Sequence, residues 1–271
     1  MSSRDVVCLI DGEAVDDLDV TDSAVLRGDG CFEAIRSYDG SLFRVEDHLD
    51  RLERSAAALG LVPPPRDSMH RWMAAVIDGR NDCVVRIVLT RGSAVPGIEG
   101  GGRCVVMSHA LPPPLPGLRL LPVTAPWHPA GRPWELAGVK TTSYAPNLAA
   151  SRRAREAGFD DALLVGDAGT VLEGPTFAIG WCRRGTVFTP SLDLGVLASV
   201  TRRVVLELVA VEEVAVDLSA IAEADEVFAM STVKEVTPVT AVGEVEFAVG
   251  PATRDLAQRV GALARDSVSR H

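Results

Sequence analysis

The sequence predicts an α+β protein with two domains, because strand-type and helix-type hydrophobic patterns both occur and a proline-rich segment separates them into two groups. In that segment, residues 111–117, prolines fill four of five consecutive positions. Such a run excludes helix and favours an extended, stiff connection. We therefore expect a small N-terminal α+β domain at residues 1–110, an interdomain linker at 111–117 and a larger C-terminal domain at 118–271.

The N-terminal domain is expected to begin with strands. Residues 6–10 predict one strand, and residues 31–38 and 42–45 flank an Asp-Gly hairpin turn at 39–40. Alternation divides the strand at 31–38 into two faces, one of which must meet a core or a pocket. The first face carries Phe32, Ala34 and Arg36, and the second carries Cys31, Glu33 and Ile35.

Helical periodicity follows. Apolar residues recur at spacings of three and four from Val45 to Leu59, which predicts an amphipathic helix that ends near Gly60, with Arg51 beside its apolar stripe. The remaining predicted elements of this domain are a helix at 68–78, a strand at 84–90, a Gly-rich loop at 92–102 and a strand at 104–108.

The C-terminal domain is predicted to combine strands and helices around an irregular loop that carries Lys140. Its predicted elements are a strand at 118–124, a helix at 148–156, hairpins at 162–165/171–173 and 177–181/187–189, and a helix at 202–210.

Composition excludes several classes of function. The chain has 271 residues, 47% of them hydrophobic and 24% charged, which is ordinary for a globular enzyme. Its formal net charge of −10 argues against a nucleic-acid or anionic-membrane partner, because both require clustered Lys and Arg. The dispersed His residues and the five Cys residues lack metal-ligand spacing, so no metal site is expected.

Cysteine usage and the N-terminus predict the compartment. The five Cys residues are odd in number and far apart, which is typical of reduced thiols in a cytoplasm. Residues 1–5 show no leader pattern, and eighteen apolar residues nowhere run together. We therefore expect a cytoplasmic protein without a membrane segment.

One amine and one carboxylate predict the chemistry. Lys140 follows Gly138-Val139, and Glu173 precedes Gly174. An amine in a pocket of low polarity loses its proton readily and can form a Schiff base with an aldehyde, and a carboxylate can keep a heterocyclic nitrogen protonated. Pyridoxal phosphate requires this pairing.

Four blocks of sequence, in this order and spacing, resemble the fold-type IV pyridoxal-phosphate enzymes. That family contains branched-chain aminotransferases, D-amino acid transaminases and aminodeoxychorismate lyases. The blocks are Arg27-Gly28-Asp29-Gly30-Cys31-Phe32-Glu33 with His48-Leu49-Asp50-Arg51-Leu52, Lys140 with Tyr144 and Asn147, Glu173-Gly174, and Val200-Thr201-Arg202 with the segment from Ser231 to Pro238. The resemblance implies a D-amino acid aminotransferase-like fold, with a small N-terminal sandwich and a larger C-terminal pseudo-barrel.

The resemblance also implies the cofactor site. Lys140 would form the Schiff base and move the proton, and Glu173 would pair with the pyridine nitrogen. A phosphate requires a cation, backbone N–H groups at a helix start and hydroxyls. The residues expected to bind the phosphate are Arg51, Val200, Thr201, Ser231 and Thr232. Tyr144 would bond the phenolic oxygen, although it stands one position earlier than in branched-chain aminotransferases, and Asn147 is expected to cap the following helix.

Substrate recognition is less completely specified. Many D-amino acid transaminases continue the Thr-Arg-Gly that matches Thr90-Arg91-Gly92 into a second Arg and a His that grip the substrate carboxylate, and here Ser93 to Gly97 lack both. The alternative cations for this carboxylate are Arg27, Arg36 and Arg91, with Phe32 on the same pocket strand.

The resulting hypothesis is a pyridoxal-phosphate-dependent aminotransferase that moves an amino group between an amino acid and a 2-keto acid. The motifs Thr90-Arg91-Gly92 and Gly28-Asp29-Gly30 favour a D-amino acid or a related (R)-amine, and an L-branched-chain donor stays open. The alternatives are a 4-amino-4-deoxychorismate lyase that releases pyruvate and 4-aminobenzoate, and a catalytically silent binding protein on the same fold. The resemblance also implies a homodimer with the active site at the subunit interface, closed by the partner's loops, including residues 92–102.

Overall fold

The computed structural model describes residues 6–15, 17–97 and 101–268, which form two compact units. Residues 1–5, where no leader was expected, and residues 98–100 of the predicted Gly-rich loop lie outside this part of the chain. The first unit contains the described residues within Met1–Pro112, Val139–Tyr144 and Ala264–His271, and the second contains Pro113–Gly138 and Ala145–Leu263.

An antiparallel sheet organises the first unit. Its strands are β1 (Val7–Ile10), β2 (Gly30–Tyr38), β3 (Ser41–Leu42), β4 (Val84–Thr90) and β5 (Cys104–His109). Among the described residues these five strands lie in the order β1-β5-β4-β2-β3. The helices of this unit are α1 (Ser23–Arg27), α2 (Val45–Leu59) and α3 (Arg66–Ile77).

The core of the first unit lies between one face of this sheet and helices α2 and α3. Cys31 and Ile35 of β2 are fully buried with Leu49 of α2 and Met73 of α3. Full burial of a side chain such as Ile35, Leu49 or Met73 stabilises the fold by roughly 1.5–3 kcal/mol. The predicted division of β2 into two faces is confirmed, since the face with Cys31 and Ile35 is fully buried and the other face is half-buried.

A mixed sheet organises the second unit. Its strands are β6 (Leu118–Thr124), β7 (Asp161–Val165), β8 (Ala178–Arg183), β9 (Thr186–Pro190), β10 (Val211–Val214), β11 (Glu226–Ser231), β12 (Glu235–Val242) and β13 (Val245–Glu246). In the described part of the chain seven of these eight strands lie in the order β10-β9-β8-β11-β12-β6-β7, and the eighth, β13, pairs with β12. The pairs of β6 with β7 and with β12 are parallel.

Four further helices are α4 (Ala145–Glu156), α5 (Val200–Leu208), α6 (Leu218–Ala222) and α7 (Pro251–Val268), the last element of the described chain. None of the helices in the described ranges is both long and apolar enough to cross a membrane.

The predicted helix at 45–59 and the predicted strands at 84–90 and 118–124 are confirmed at both ends. Other predicted ends were wrong for local reasons. The return strand predicted at 42–45 ends at Leu42, because Arg44 adopts a left-handed φ of 54° and Val45 already begins α2. Helix α5 begins at Val200, two residues early, because Ser199 caps it through a hydrogen bond to the Arg202 N–H.

The segment that carries Lys140 departs from the predicted continuous domain at 118–271. The Phe32 N–H donates to the Lys140 carbonyl at 3.0 Å, and the Thr142 N–H donates to the Gly30 carbonyl at 2.8 Å. Thr141 forms a bridge with Cys31 as well. Residues 139–144 therefore extend the edge of β2 and belong to the first unit.

Candidate active site

Lys140 lies against an aromatic surface of the first unit. Its backbone N–H donates to the Ser55 hydroxyl of α2 at 3.2 Å, which fixes the backbone from which the side chain starts. Its Nζ atom lies 4.4 Å from the centroid of the Phe32 ring and 5.8 Å from that of the Tyr144 ring. An amine over two ring faces is held in place by the rings and is partly removed from water.

The two rings also contact each other. Phe32 and Tyr144 meet edge to face, with centroids 5.3 Å apart and planes inclined by 73°. Edge-to-face contact is one of the two favoured geometries for an aromatic pair. The structure therefore brings together Lys140, Tyr144 and Phe32, three residues that the sequence predicted for the site.

Arg51 makes a buried ion pair with Glu33, a residue for which no role was predicted from the sequence. Arg51 Nε lies 2.7 Å from Glu33 Oε1, and Arg51 Nη2 lies 2.7 Å from Glu33 Oε2. His48 Nδ1 approaches Oε2 of the same carboxylate at 2.8 Å. The sequence did contain a signal for this buried carboxylate, because strand alternation places Glu33 on the same face of the strand as Cys31 and Ile35.

Electrostatics keep the buried Glu33 ionised. Burial alone would raise the pKa of Glu33, but the charge of Arg51 and the hydrogen bonds from Arg51 and His48 lower that pKa to about 2. Burial also lowers the pKa of His48, with Glu33 acting in the opposite direction and the charges of Arg51 and Lys140 adding to the lowering. The predicted phosphate cation is thus a positioned guanidinium rather than a mobile surface group.

Two arginines project from the half-buried face of the sheet that also carries Phe32. Arg36 on β2 lies over the Tyr38 ring, with 4.5 Å between its guanidinium carbon and the ring centroid. Arg86 on β4 is paired in register with Ala34, and its Nε donates to His109 at 3.1 Å. Burial lowers the pKa of Arg86, and the nearby Tyr144 opposes that effect. Arg86 was not predicted for the site, although alternation in the strand at 84–90 could have identified it.

The other two predicted carboxylate cations are placed differently. Arg27 is exposed at the end of α1. Arg91 pairs with Asp29 through two hydrogen bonds, and its Nη2 also donates to the Leu59 carbonyl. The guanidinium of Arg91 therefore joins the turn at Asp29 to the C-terminal end of helix α2.

Glu173 is fixed in the second unit by contacts on its backbone and its side chain. Its carbonyl accepts from the Leu164 N–H of β7 at 2.8 Å, and its Oε2 accepts from the Leu197 N–H at 3.1 Å. At the neighbouring Gly174, an added Cβ would lie 2.1 Å from the Phe177 ring. Only glycine lets that ring pack directly beside the carboxylate-bearing loop.

His128, for which no role was predicted from the sequence, lies next to this carboxylate. Its side chain is 8% exposed, and its Nε2 lies 3.5 Å from Glu173 Oε1. Within the described residues, Nε2 has no hydrogen-bond partner of standard geometry. The contact joins two loops that are distant in sequence, so no local pattern could have indicated it.

The start of helix α5 presents backbone donors. Ser199 caps the helix, and the buried Val200 and Thr201 occupy its first turn. N–H groups at that position have no acceptor within the helix, and they attract anions. Ser231 accepts from the Lys234 N–H at 3.2 Å, which folds the turn that holds Thr232 between β11 and β12.

A second lysine lies in that turn, and Lys140 and Lys234 are the two lysines of the sequence. Lys234 Nζ lies 5.1 Å from the centroid of the Phe177 ring. Burial lowers the pKa of Lys234, and Asp161 opposes this effect. A half-buried amine beside an aromatic ring therefore occurs in each unit.

Each unit carries groups that suit a part of pyridoxal phosphate. In the first unit, a half-buried amine over aromatic rings suits the aldehyde. In the second unit, a fixed carboxylate beside an unsatisfied imidazole N–H suits the ring nitrogen, and the start of a capped helix suits the phosphate. By contrast, no group of three potential metal ligands occurs within residues 6–15, 17–97 and 101–268.

Comparisons with known proteins agree with this fit. A family model described as amino-transferase class IV matches residues 30–242. A Methanocaldococcus jannaschii protein, provisionally named a branched-chain-amino-acid aminotransferase, is 33% identical over 85% of this chain and 85% of its own length. A Mycobacterium tuberculosis bifunctional aminodeoxychorismate lyase / D-amino acid transaminase is 34% identical over 63% of this chain and 64% of its own. A fold IV transaminase from Curtobacterium pusillum is 30% identical, with a TM-score of 0.82 over 92% of this chain and 90% of that structure.

Proposed function

Because the chain belongs to the class IV aminotransferases, whose cofactor is pyridoxal 5′-phosphate, we propose that it moves an amino group between an amino acid and a 2-keto acid. The observation that carries this proposal is the position of the Lys140 amine, 4.4 Å from the Phe32 ring centroid, on the half-buried sheet face that also bears Arg36 and Arg86. An amine and two guanidinium groups on one face match an aldehyde cofactor and a carboxylate substrate.

Each part of the cofactor has a proposed partner. Lys140 would bond the aldehyde, Glu173 would hold the ring nitrogen, and the N–H groups of Val200 and Thr201 would bind the phosphate with Arg51. When bound, the cofactor supplies an electron sink that stabilises negative charge on the substrate carbon. The hydroxyls of Ser231 and Thr232 complete the proposed phosphate contacts, and Tyr144 is the proposed donor to the phenolic oxygen.

Lys140 is also the proposed proton carrier. A neutral lysine amine is a base that can take a proton at Nζ and return it elsewhere. The Phe32 and Tyr144 rings limit the directions that Nζ can take. The Ser55 hydrogen bond fixes the backbone of the same residue. Together these contacts keep Nζ within a small volume, as proton transfer requires.

Arg36 and Arg86 are the proposed partners of the substrate carboxylate. Both lie on the Phe32 face of the sheet, and both are half-buried, so a hydrogen bond to either is less exposed to competition from water. Two guanidinium groups could also bind the two carboxylates of a dicarboxylate substrate. The exposed position of Arg27 and the Asp29 contact of Arg91 make those two residues weaker candidates.

For the donor we favour a D-amino acid or a related (R)-amine. The support is similarity to a relative named in part D-amino acid transaminase, together with Thr90-Arg91-Gly92 and Gly28-Asp29-Gly30. The Arg91–Asp29 ion pair joins these two motifs, so they support the assignment as a shared framework rather than as substrate contacts.

The experiment is a half-reaction followed by absorbance. Purified holoenzyme is mixed separately with D-alanine, L-leucine, L-glutamate and a chiral (R)-amine, and conversion of the cofactor from its aldehyde form to its amine form is recorded. Conversion by D-alanine or the (R)-amine is the expected result. Conversion by L-leucine or L-glutamate alone would overturn the assignment of handedness and favour a branched-chain donor.

A second candidate function is 4-amino-4-deoxychorismate lyase. It is favoured by similarity to the relative whose name includes aminodeoxychorismate lyase, and by two arginines that could bind a dicarboxylate. The lyase would release 4-aminobenzoate and pyruvate without any keto-acid acceptor. If no amine donor converts the bound cofactor, release of these two products from aminodeoxychorismate is the deciding assay.

We also propose that the enzyme is a homodimer, as the resemblance implies. Val20, Val25 and Leu26 are each more than half exposed in and beside α1, and such apolar side chains suit an interface. Sedimentation equilibrium of the holoenzyme should give twice the 28.7 kDa chain mass. A monomer would overturn the proposal.

A further inference from the structure

The imidazole of His128 has a defined proton. Its Nδ1 accepts a hydrogen bond from the Ala130 N–H at 3.1 Å, so Nδ1 carries no hydrogen and Nε2 carries it. The Nε2–H is buried, and within the described chain its nearest carboxylate oxygen is Glu173 Oε1 at 3.5 Å. A buried N–H donor without an acceptor is costly, which makes this carboxylate its natural partner.

The backbone around His128 is held by several contacts. The Ala125 N–H donates to the Val165 carbonyl of β7 at 2.8 Å, and the His128 N–H donates to the Ala125 carbonyl at 2.9 Å. Ala130 adopts a φ of 49°, a conformation that costs a non-glycine residue free energy and persists only where surrounding contacts impose it. The Arg132 guanidinium adds a hydrogen bond to the His128 carbonyl at 3.2 Å.

Strand β7 is hydrogen-bonded to the segment that carries His128 and to Glu173 itself. Val165 accepts from the loop that carries His128, and the adjacent Leu164 donates to the Glu173 carbonyl. Two neighbouring residues of one buried strand thus set the separation of the imidazole and the carboxylate. Such a scaffold is more precise than two independent loops.

We infer that His128 is a positioning residue that acts through Glu173, with its Nε2–H and the Leu197 N–H directed at different oxygens of the same carboxylate. This inference rests on the proposed function, in which Glu173 holds the ring nitrogen of the cofactor. Two N–H donors on two oxygens fix the plane of a carboxylate. Because Nδ1 is an acceptor, the imidazole is neutral, and it orients Glu173 without placing a positive charge beside it.

Two substitutions separate the roles of the two ring nitrogens. In H128N the side-chain oxygen takes the place of Nδ1 and can still accept from the Ala130 N–H, but the side chain is too short to reach Glu173. In H128Q the longer side chain places an amide N–H near the position of Nε2. The holoenzyme half-reaction should be about tenfold slower in H128N, with the apparent donor affinity unchanged, and H128Q should recover most of the rate.

The second measurement does not depend on activity. In holoenzyme labelled with 15N-histidine, His128 should show a proton on Nε2 and none on Nδ1, and the Nε2 signal should move when Glu173 is changed to Gln. The signal is assigned by its loss in H128Q. A proton on Nδ1, or an Nε2 signal that ignores E173Q, would overturn the inference even if H128N failed to fold.

Failure of the inference can be told apart from failure of the proposed function. If E173Q is strongly impaired in the half-reaction and H128N reacts at the wild-type rate, the role of His128 is overturned while that of Glu173 stands. If E173Q also reacts at the wild-type rate, the proposed role of Glu173 and the inference fall together.

Discussion

Arg51 donates from Nε and Nη2 to both carboxylate oxygens of Glu33, in a pair whose side chains are 6% and 0% exposed. A similar two-point pair joins Arg66 to Glu53 on the surface, where the side chains are 34% and 37% exposed. The two-point geometry is similar, but the first pair is buried, and Arg66 also contacts Glu46 and Asp50. Burial should therefore decide what each pair contributes.

Changing Glu33 to Gln should cost roughly 3–5 kcal/mol of unfolding free energy, because it leaves the buried Arg51 charge uncompensated. Changing Glu53 to Gln should cost between 0 and about 1 kcal/mol. Urea unfolding of both variants measures the difference. Equal losses in the two variants would contradict the assignment of Glu33 as the counter-ion of Arg51.

Stability should fall in acid through two groups of this cluster. The pKa of Glu33 is about 2 against an ordinary 4.5, so its contribution is complete above about pH 4.5 and is lost as pH falls toward 2. Burial lowers the pKa of His48 from 6.5, so below that pH the unfolded chain binds a proton that the folded chain resists. As the pH falls, the fold therefore loses stability in two successive pH ranges, first through His48 and then through Glu33.

A substitution can isolate the pH range in which His48 affects the unfolding free energy. H48N keeps a side-chain donor near the position of Nδ1 but cannot titrate, so its unfolding free energy should fall less than that of the wild type between about pH 6.5 and pH 5. H70N is the control, because His70 is 39% exposed and pairs with Glu46 on the surface. Parallel pH curves for the wild type and H48N would show that His48 does not carry this dependence.

Gly174 should tolerate no side chain. An added Cβ would lie 2.1 Å from the Phe177 ring, so G174A should lose about 1–3 kcal/mol of stability and slow the half-reaction by displacing the Glu173 loop. G101A is the matched control, since none of the residues that the structure describes lies within 4 Å of a Cβ at Gly101. Denaturant unfolding of both variants is the measurement, and a G174A protein as stable as G101A would refute the close approach.

Arg36 and Arg86 should govern amino-acid substrates. R36M and R86M should each raise KM for amino acids about 10- to 150-fold, which corresponds to loss of a hydrogen bond between charged groups, and should spare simple (R)-amines that lack a carboxylate. R27M is the control, because Arg27 is exposed. Steady-state kinetics with paired amino-acid and amine donors measure this, and equal losses for both donors would assign the two arginines a structural role.

Local patterns predicted much of the fold. Spacings of three and four located α2 from Val45 to Leu59, and alternation located the buried face of β2. Ends that depend on one side chain were missed, since nothing periodic marks the Ser199 cap or the left-handed Arg44. Periodicity reports which face is buried, whereas an end depends on a single hydrogen bond or dihedral angle.

The candidate site was predicted where family motifs named the residues and was missed where tertiary contacts made it. Lys140 and Phe32 are close because residues 139–144 pair with β2, a contact between segments about a hundred residues apart. The contact of His128 with Glu173 likewise depends on two loops that meet at β7. Arg86 could have been found, because alternation alone puts it on the half-buried face of β4.

Lys140 is the residue proposed to bond the cofactor, and the sequence allows a sharp test of this role because Lys234 is its only other lysine. Borohydride reduction of the holoenzyme, followed by digestion and mass spectrometry, identifies the amine that carries the reduced cofactor. We expect the label on Lys140, with K234M labelled to the same extent and K140M unlabelled. A label on Lys234 or on the terminal amine in the wild-type holoenzyme would contradict it.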